Sequence, residues 1–280
     1  MLMDQSDALR LKLWGVRGSV PTPVQANLGC GGNTACLEIR TAEDQVIILD
    51  AGTGIRALGL AILQEFDGRP LKLDIFLTHY HWDHIQGLPF FGPLYRPDTQ
   101  ITLHAAESLG SIHERLHGQM VAPYFPVDFD GIPACVRFVE FDGSPIQAGG
   151  LRISSFPMNH PQGAFGYRME SEDGVVVYAS DLEPGKADLD RVVREFAEGA
   201  DTLIYDSQFT PEEYAGHRGW GHSHWREAAL VANDARVKQL VLFHHDPAHD
   251  DRAIERIEAD TRQLFENTCA GREGWSVEHR

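Results

Sequence analysis

The chain reads as an α/β protein with two mixed β-sheets packed face to face and helices outside. Three observations predict this. Short apolar runs rich in β-formers alternate with amphipathic helical stretches along the whole sequence. No low-complexity linker and no repeat divides the 280 residues, so one domain over residues 1–280 is expected. Histidines and aspartates recur just past strand ends in both halves, which predicts one site in the cleft between the sheets.

Taken in order, residues 11–16 (LKLWGV) begin a strand and residues 17–21 turn away from it. The glycine-rich loop GCGGNT, residues 29–34, permits close backbone approach and leads into a strand at 35–40. No Lys-Ser/Thr pair follows it and no helix opens, so it lacks the fingerprint of a nucleotide-phosphate loop. Residues 45–50 (QVIILD) form a buried strand, and a turn leads to a helix at about 55–64. Residues 71–78 are a strand, 100–104 another, and 107–117 read as a helix with Leu109, Ile112 and Leu116 on one side. His113 and His117, spaced i and i+4, could ligate a metal but read as surface residues. Residues 123–127 (PYFPV) cannot be regular structure and read as a lid, a pocket wall or a packed loop.

The second half repeats the alternation. Strands at 136–141 and 151–156 precede a hairpin of 165–170 and 175–180 that turns at Glu172-Asp173-Gly174. A helix at 189–198, a strand at 202–206 and a loop at 211–220 follow. Ser223 is the expected N-cap of a helix at 227–235. The strand 239–243 ends at His244-His245, a charged helix spans 250–265, and the last fifteen residues read as a loose tail or a short edge element.

The densest chemistry lies in LDIFLTHYHWDHIQGLP, residues 73–89. His79, His81, Asp83 and His84 occupy six consecutive positions after an apolar strand. His79 and His81, two apart in extended or loop backbone, can point the same way and hold one metal. Asp83 and His84 point elsewhere and can hold a second. Imidazole and carboxylate donors suit Zn2+ best, with Mn2+ and Fe2+ as alternatives. His160, Asp181 and His244 each follow a strand end. Singly, each is an ordinary polar residue.

Composition narrows the partners. A net charge of −17 argues against a nucleic-acid polymer as the main ligand, because such proteins show a basic footprint. It leaves room for a small anionic substrate, since bound cations reverse the local sign. No stretch is apolar enough to span a bilayer, and residues 1–14 carry no cleavage-like site. With four cysteines and no CxxC pair, a cytoplasmic protein with reduced thiols and no membrane association is expected. Cys30 reads either as a neighbour of the site or as a small buried residue.

His79-X-His81-X-Asp83-His84 after an apolar strand resembles the signature of the metallo-β-lactamase superfamily. The resemblance covers nearly the whole chain and implies a four-layer αββα sandwich holding two metals. His79, His81 and His160 would bind the first, and Asp83, His84 and a histidine after the last sheet strand the second. Asp181 would bridge them. His244 is taken over His245 because it directly follows residues 240–243, and His245 is left to contact substrate or solvent. An aspartate at the position of Asp50 would support the metal loop, though a cap or turn role competes.

Further stretches choose a branch. His81 stands where iron redox flavoproteins carry glutamate, which implies hydrolysis. WGVRGSVPTP, LDAGTGIRALG, HPQGAFGYR and FHHDP resemble the phosphodiesterase branch, cyclic phosphate phosphodiesterases included. GHSHWREAALVA with VKQLVLFHH is similar to ribonuclease Z, where a histidine at the position of His222 assists phosphate binding or leaving-group protonation. A basic arm for gripping transfer RNA is not found. The resemblance thus implies attack on a small phosphodiester, cyclic ones included, by a metal-bridging hydroxide, with Asp83 also orienting the water and His222 assisting departure. The alternatives are a glyoxalase II-type thioesterase or lactonase on the same metals, and a non-catalytic nucleotide-binding sensor. Relatives of this kind often dimerise, so a homodimer is compatible with the resemblance.

Overall fold

The computed structural model describes residues 8–41 and 45–280. The reading of residues 1–7 as free of a leader falls outside the described residues.

Strand pairing resolves two sheets of seven strands. Six strands of the first sheet come early: β1 (Leu9–Gly15), β2 (Cys36–Arg40), β3 (Val46–Leu49), β4 (Leu71–Phe76), β5 (Thr99–Ala106) and β6 (Cys135–Phe141). The second sheet contains β7 (Ile146–Ala148), β8 (Leu151–Met158), β9 (Ala164–Glu170), β10 (Val175–Ala179), β11 (Thr202–Asp206), β12 (Gln239–Phe243) and β13 (Thr268–Ala270). β14 (Ser276–His279) then returns to pair antiparallel with β1. The C-terminal segment is therefore a sheet edge rather than a loose tail.

Among the described residues, alternation along the strands builds the three largest cores. Leu11, Leu13, Leu37, Ile47 and Leu49 of the first sheet meet Tyr167, Tyr178, Ile204 and Phe243 of the second. The opposite face of the first sheet, with Ile48, Leu73, Ile75 and Leu103, is covered by the helices Gly54–Glu65 and Ile112–Gln119. The outer face of the second, with Val177, Leu203 and Leu240, is covered by Ala187–Ala197, Trp225–Asp234 and Asp251–Arg262. Both sheets are thus apolar on two faces, which explains why β3 and β11 are buried throughout. The layers run helix, sheet, sheet, helix.

Two boundaries differ from expectation for local reasons. The helix expected over 107–117 breaks at Gly110, whose φ is +84°, into a short turn and a helix that starts only after Ser111 accepts from the Glu114 amide. His224, not Ser223, caps Trp225–Asp234: its ring accepts from the Glu227 amide. Ser223 instead donates its backbone N–H to Asp206.

Topology then positions the functional groups. β3 through β6 are parallel, as are β10 through β13. Leu49 lies opposite Phe76, Ala179 opposite Tyr205, and Asp206 opposite Phe243. These registers bring the C-terminal ends of the parallel strands level, where open α/β sheets offer a crevice. Two buried tyrosines tie the sheets together beside it: Tyr167 donates to the Leu77 carbonyl at 2.5 Å and Tyr178 to Asp50 Oδ2 at 2.8 Å.

Candidate metal centre

Each residue of the centre leaves the end of a strand. Asp50 follows β3, and His79 to His84 follow β4. His160 follows β8, Asp181 follows β10, Asp206 ends β11 and His244 follows β12. Among the described residues, six non-glycine residues have positive φ, and five of them lie at this centre: Ser19, Asp50, Gln162, Asp181 and His244. Only Arg236 lies elsewhere. Backbone in this region is sparsely populated for side-chain-bearing residues, so its concentration here marks a functional constraint.

Two groups of donors face each other across Asp181. His79, His81 and His160 form one, and Asp83, His84, Asp181 and His244 the other, each with ligand atoms within 4.8 Å of one another. Asp181 Oδ1 lies 3.9 Å from both His79 Nε2 and His160 Nε2. Its Oδ2 lies 3.0 Å from His84 Nε2 and 3.3 Å from His244 Nε2. One carboxylate thus addresses both groups.

The opposite edge of nearly every imidazole is held. His84 Nδ1 donates to Asp50 Oδ2 at 2.7 Å, and Asp50 Oδ1 accepts from the Thr78 amide at 2.8 Å. His160 Nδ1 donates to the Gly221 carbonyl at 2.8 Å, and His244 Nδ1 to Gln208 Oε1 at 3.0 Å. His79 Nδ1 lies 2.9 Å from the Thr78 hydroxyl. Such outer bonds fix the ring and tautomer of a ligating histidine. Asp50 therefore supports the loop, as the resemblance implied. Gln208 was not signalled in the sequence.

Burial and charge set the protonation states. Burial, with His84 nearby, holds His79 well below the usual imidazole range, and burial takes His160 down to about 4. Burial opposes ionisation of Asp83 and Asp181, but His84 and His244 outweigh it and hold both well below the usual carboxylate range. Burial also opposes charge on His84 and His244, yet the surrounding carboxylates raise His84 well above its usual range and His244 to about 9. A cation entering this field meets ionised carboxylates and displaces those protons.

The donor set fits divalent cations. His79 Nε2 is buried and has no hydrogen-bond partner, and it points at the first group. His160 Nε2 and His81 Nδ1 converge to 3.1 Å, and His84 Nε2 and His244 Nε2 to 3.3 Å. Ring nitrogens that converge on one point are arranged for an electrophile that replaces their protons, and the N/O donor set suits zinc.

Beside the second group lies a dyad. His222 Nδ1 donates to Asp206 Oδ2 at 2.9 Å, and Asp206 also accepts from the amides of Asp181, Gln208 and Ser223. Asp206 was not singled out in the sequence, although a carboxylate ending a strand is the signal Asp181 also gave. A cleft of about 450 Å³ is lined by Ser19, Tyr80, His81, Trp82, Asp83, Asp181 and His222.

Other candidates fall outside. His245 is neither a substrate contact nor solvent-exposed: it is 1% exposed, bonds the Gly271 carbonyl and is pushed down to about 3 by burial. Cys30 packs in a separate core with Ile254 and Ala270. His113 and His117 pair with Asp130 and Asp128 at the surface. Residues 123–127 are not in the cleft lining; Phe125 packs on Phe90.

A family model described as the β-lactamase superfamily domain matches residues 45–245. Ribonuclease BN of Citrobacter koseri is 26% identical over 255 residues, covering 71% of this chain and 79% of that protein. Ribonuclease Z of Thermoplasma acidophilum is 25% identical over 309 aligned positions, covering 93% of each. A solved structure described as a new diphosphatase from the PhnP family has a TM-score of 0.71 at 20% identity, covering 97% of this chain and 98% of that one. By its family match, its two-sheet architecture and its cluster of histidines and aspartates, the chain belongs to the metallo-β-lactamase superfamily of metal-dependent hydrolases.

Proposed function

We propose that this chain is a binuclear phosphodiesterase acting on a small anionic phosphodiester, cyclic ones included. The observation that carries the reading is Asp181, which turns one oxygen to each donor group beside the Asp206–His222 dyad. His79, His81 and His160 would hold one divalent cation. Asp83, His84 and His244 would hold the other, with Asp181 shared between them. Two such cations, Zn2+ before Mn2+ or Fe2+, supply Lewis acidity and an activated water.

The rest of the reaction falls to the chain's own groups. Asp83 Oδ2 accepts from the Ser19 amide at 2.7 Å, which fixes a carboxylate at the cleft wall to orient water. With His222 Nδ1 engaged by Asp206, the proton that can move is at Nε2, and it passes to the departing oxygen. The similarity to ribonuclease Z and ribonuclease BN supports phosphodiester chemistry. The charge of −17 favours a small substrate over a nucleic-acid polymer. Free thiols at all four cysteines support a cytoplasmic setting, and no helix among the described residues is long and apolar enough to cross a membrane.

Elemental analysis and turnover of bis(p-nitrophenyl) phosphate on the same preparation test this. Two metals per chain with cleavage is the expected result. Two metals with thioester or lactone cleavage and no phosphodiester cleavage would move the substrate class. Nucleotide binding without turnover of any ester would make the chain a sensor. One metal or none, after Zn2+ or Mn2+ is supplied, would overturn the ligand set.

A further inference from the structure

We propose that Glu183 is a positioning residue for His222, acting by clamping the backbone of residues 219–221. This inference rests on the reading of His222 as proton donor to the leaving group. Glu183 stands two residues after Asp181, on the segment leaving β10. Its own backbone is fixed: its amide donates to the Asn159 carbonyl at 2.8 Å, and Asn159 Nδ2 donates to its carbonyl at 2.7 Å. It is thereby tied to the strand end that carries His160.

The Glu183 side chain reaches the loop before His222. Its oxygens accept from the Gly219 amide at 2.7 and 2.9 Å and from the Gly221 amide at 2.9 Å. The Tyr214 hydroxyl donates to it at 3.3 Å. Gly219 and Gly221 have φ of +87° and +86°, a backbone open to glycine and strained for other residues. From the other side, the Gly221 carbonyl accepts from His160 Nδ1. Gly221 is thus gripped at its amide by Glu183 and at its carbonyl by a candidate ligand, and the next residue is His222.

The segment's other anchors flank the two glycines: His217 stacks on Phe209 and bonds the Glu213 carbonyl, the Trp220 amide donates to the His217 carbonyl, and the Ser223 amide donates to Asp206. Gly219 is exposed and Trp220 is 60% exposed. Hydrogen bonds from two amides to one anion are among the stronger restraints a loop can have. Without them, His222 remains attached to Asp206 but loses its fixed approach to the cleft. Glu183 itself is not in the cleft lining, so its effect on the reaction passes through His222.

The test compares wild type, Glu183→Gln, His222→Ala and the double variant on aryl phosphodiesters running from p-nitrophenyl to phenyl leaving groups. Glu183→Gln keeps the side chain's size and removes one acceptor and the charge. It is expected to lower kcat for the phenyl ester about tenfold, the loss of one charged hydrogen bond, with little change for p-nitrophenolate, which departs unprotonated. It should have no further effect in the His222→Ala background, and metal content should be unchanged. Hydrogen exchange on chelator-treated protein gives an independent readout: residues 217–222 should exchange faster in Glu183→Gln, with the sheet strands unaffected.

Equal losses across the leaving-group series, or additive effects in the double variant, would overturn the positioning role. Unchanged exchange at 217–222 would overturn the clamp. Failure of the wild type to cleave any phosphodiester would count against the proposed function instead, with the exchange comparison still deciding the clamp.

Discussion

Replacing Asp206 by asparagine is the sharpest test of the dyad. In the native chain Oδ2 accepts from His222 Nδ1 at 2.9 Å and from the Asp181 amide at 3.1 Å, while Oδ1 accepts from the Gln208 and Ser223 amides. Asparagine keeps its oxygen for the last two and turns its NH2 toward the first two. Two donors then face a donor, and His222 relieves the conflict only by making Nδ1 an acceptor. An imidazole that accepts at Nδ1 is the neutral Nε2–H tautomer, and giving up that proton would leave an imidazolate, so the ring no longer serves as a general acid. The lost charged hydrogen bond is worth about 2 kcal/mol, roughly thirtyfold in rate, and loss of general-acid catalysis extends this toward about 100-fold or more.

The stranded Asp181 amide adds about 1–3 kcal/mol of instability, which lowers the melting temperature by several degrees. The assay is kcat for phenyl and p-nitrophenyl phosphodiesters, with metal content measured on the same samples. Selective loss on the phenyl ester with metal retained is expected. Asp206 also lies within ligand distance of Asp181, His222 and His244. Loss of a metal equivalent in Asp206→Asn would make it a ligand and refute the orienting role. Unchanged kcat on both esters would refute the dyad altogether.

Other consequences follow from the same geometry. His81→Ala should remove metal and activity together, whereas His222→Ala should retain metal and lose about 100-fold or more in turnover of poorly departing esters; elemental analysis beside kinetics separates the two. Gly221→Ala would place a Cβ 2.4 Å from His160 Nδ1 and 2.3 Å from Pro161 Cδ at a φ of +86°. It should cost about 2 kcal/mol or more and weaken metal retention, read by thermal melting and by dialysis against chelator. Asp201 tests the acid limb of stability. Burial raises its carboxyl, but Lys238 and the Val175 amide outweigh burial and hold it below its usual range. A depressed carboxyl contributes stability above its unfolded pKa of about 3.9 and loses it as pH falls through the lower folded value. Asp201→Asn should therefore melt about 2 °C lower at pH 7, with the gap narrowing as pH falls below the unfolded value.

Much of this site is local in sequence. His79 to His84 fall within one loop, and the apolar run before them specifies a buried strand, so the candidate ligand types are readable from residue identity and period. The element order likewise specified two sheets with helices outside, because alternation and helical spacing are properties of neighbouring residues. His160, Asp181 and His244 were legible as strand-end residues, and it was the family resemblance that assigned them roles.

Tertiary structure decided what depends on distant pairing. Which of His244 and His245 turns toward the cluster follows from the positive φ at His244, which directs one ring to Asp181 and leaves the other against Gly271. Asp206 meets His222, and Gln208 meets His244, across 16 and 36 residues respectively. Glu183 joins loops 24 and 38 residues away. Sequence spacing records which face of its own strand or helix a residue occupies. It does not record which neighbour the sheet register brings opposite, and here that register sets the strand ends level and closes the site.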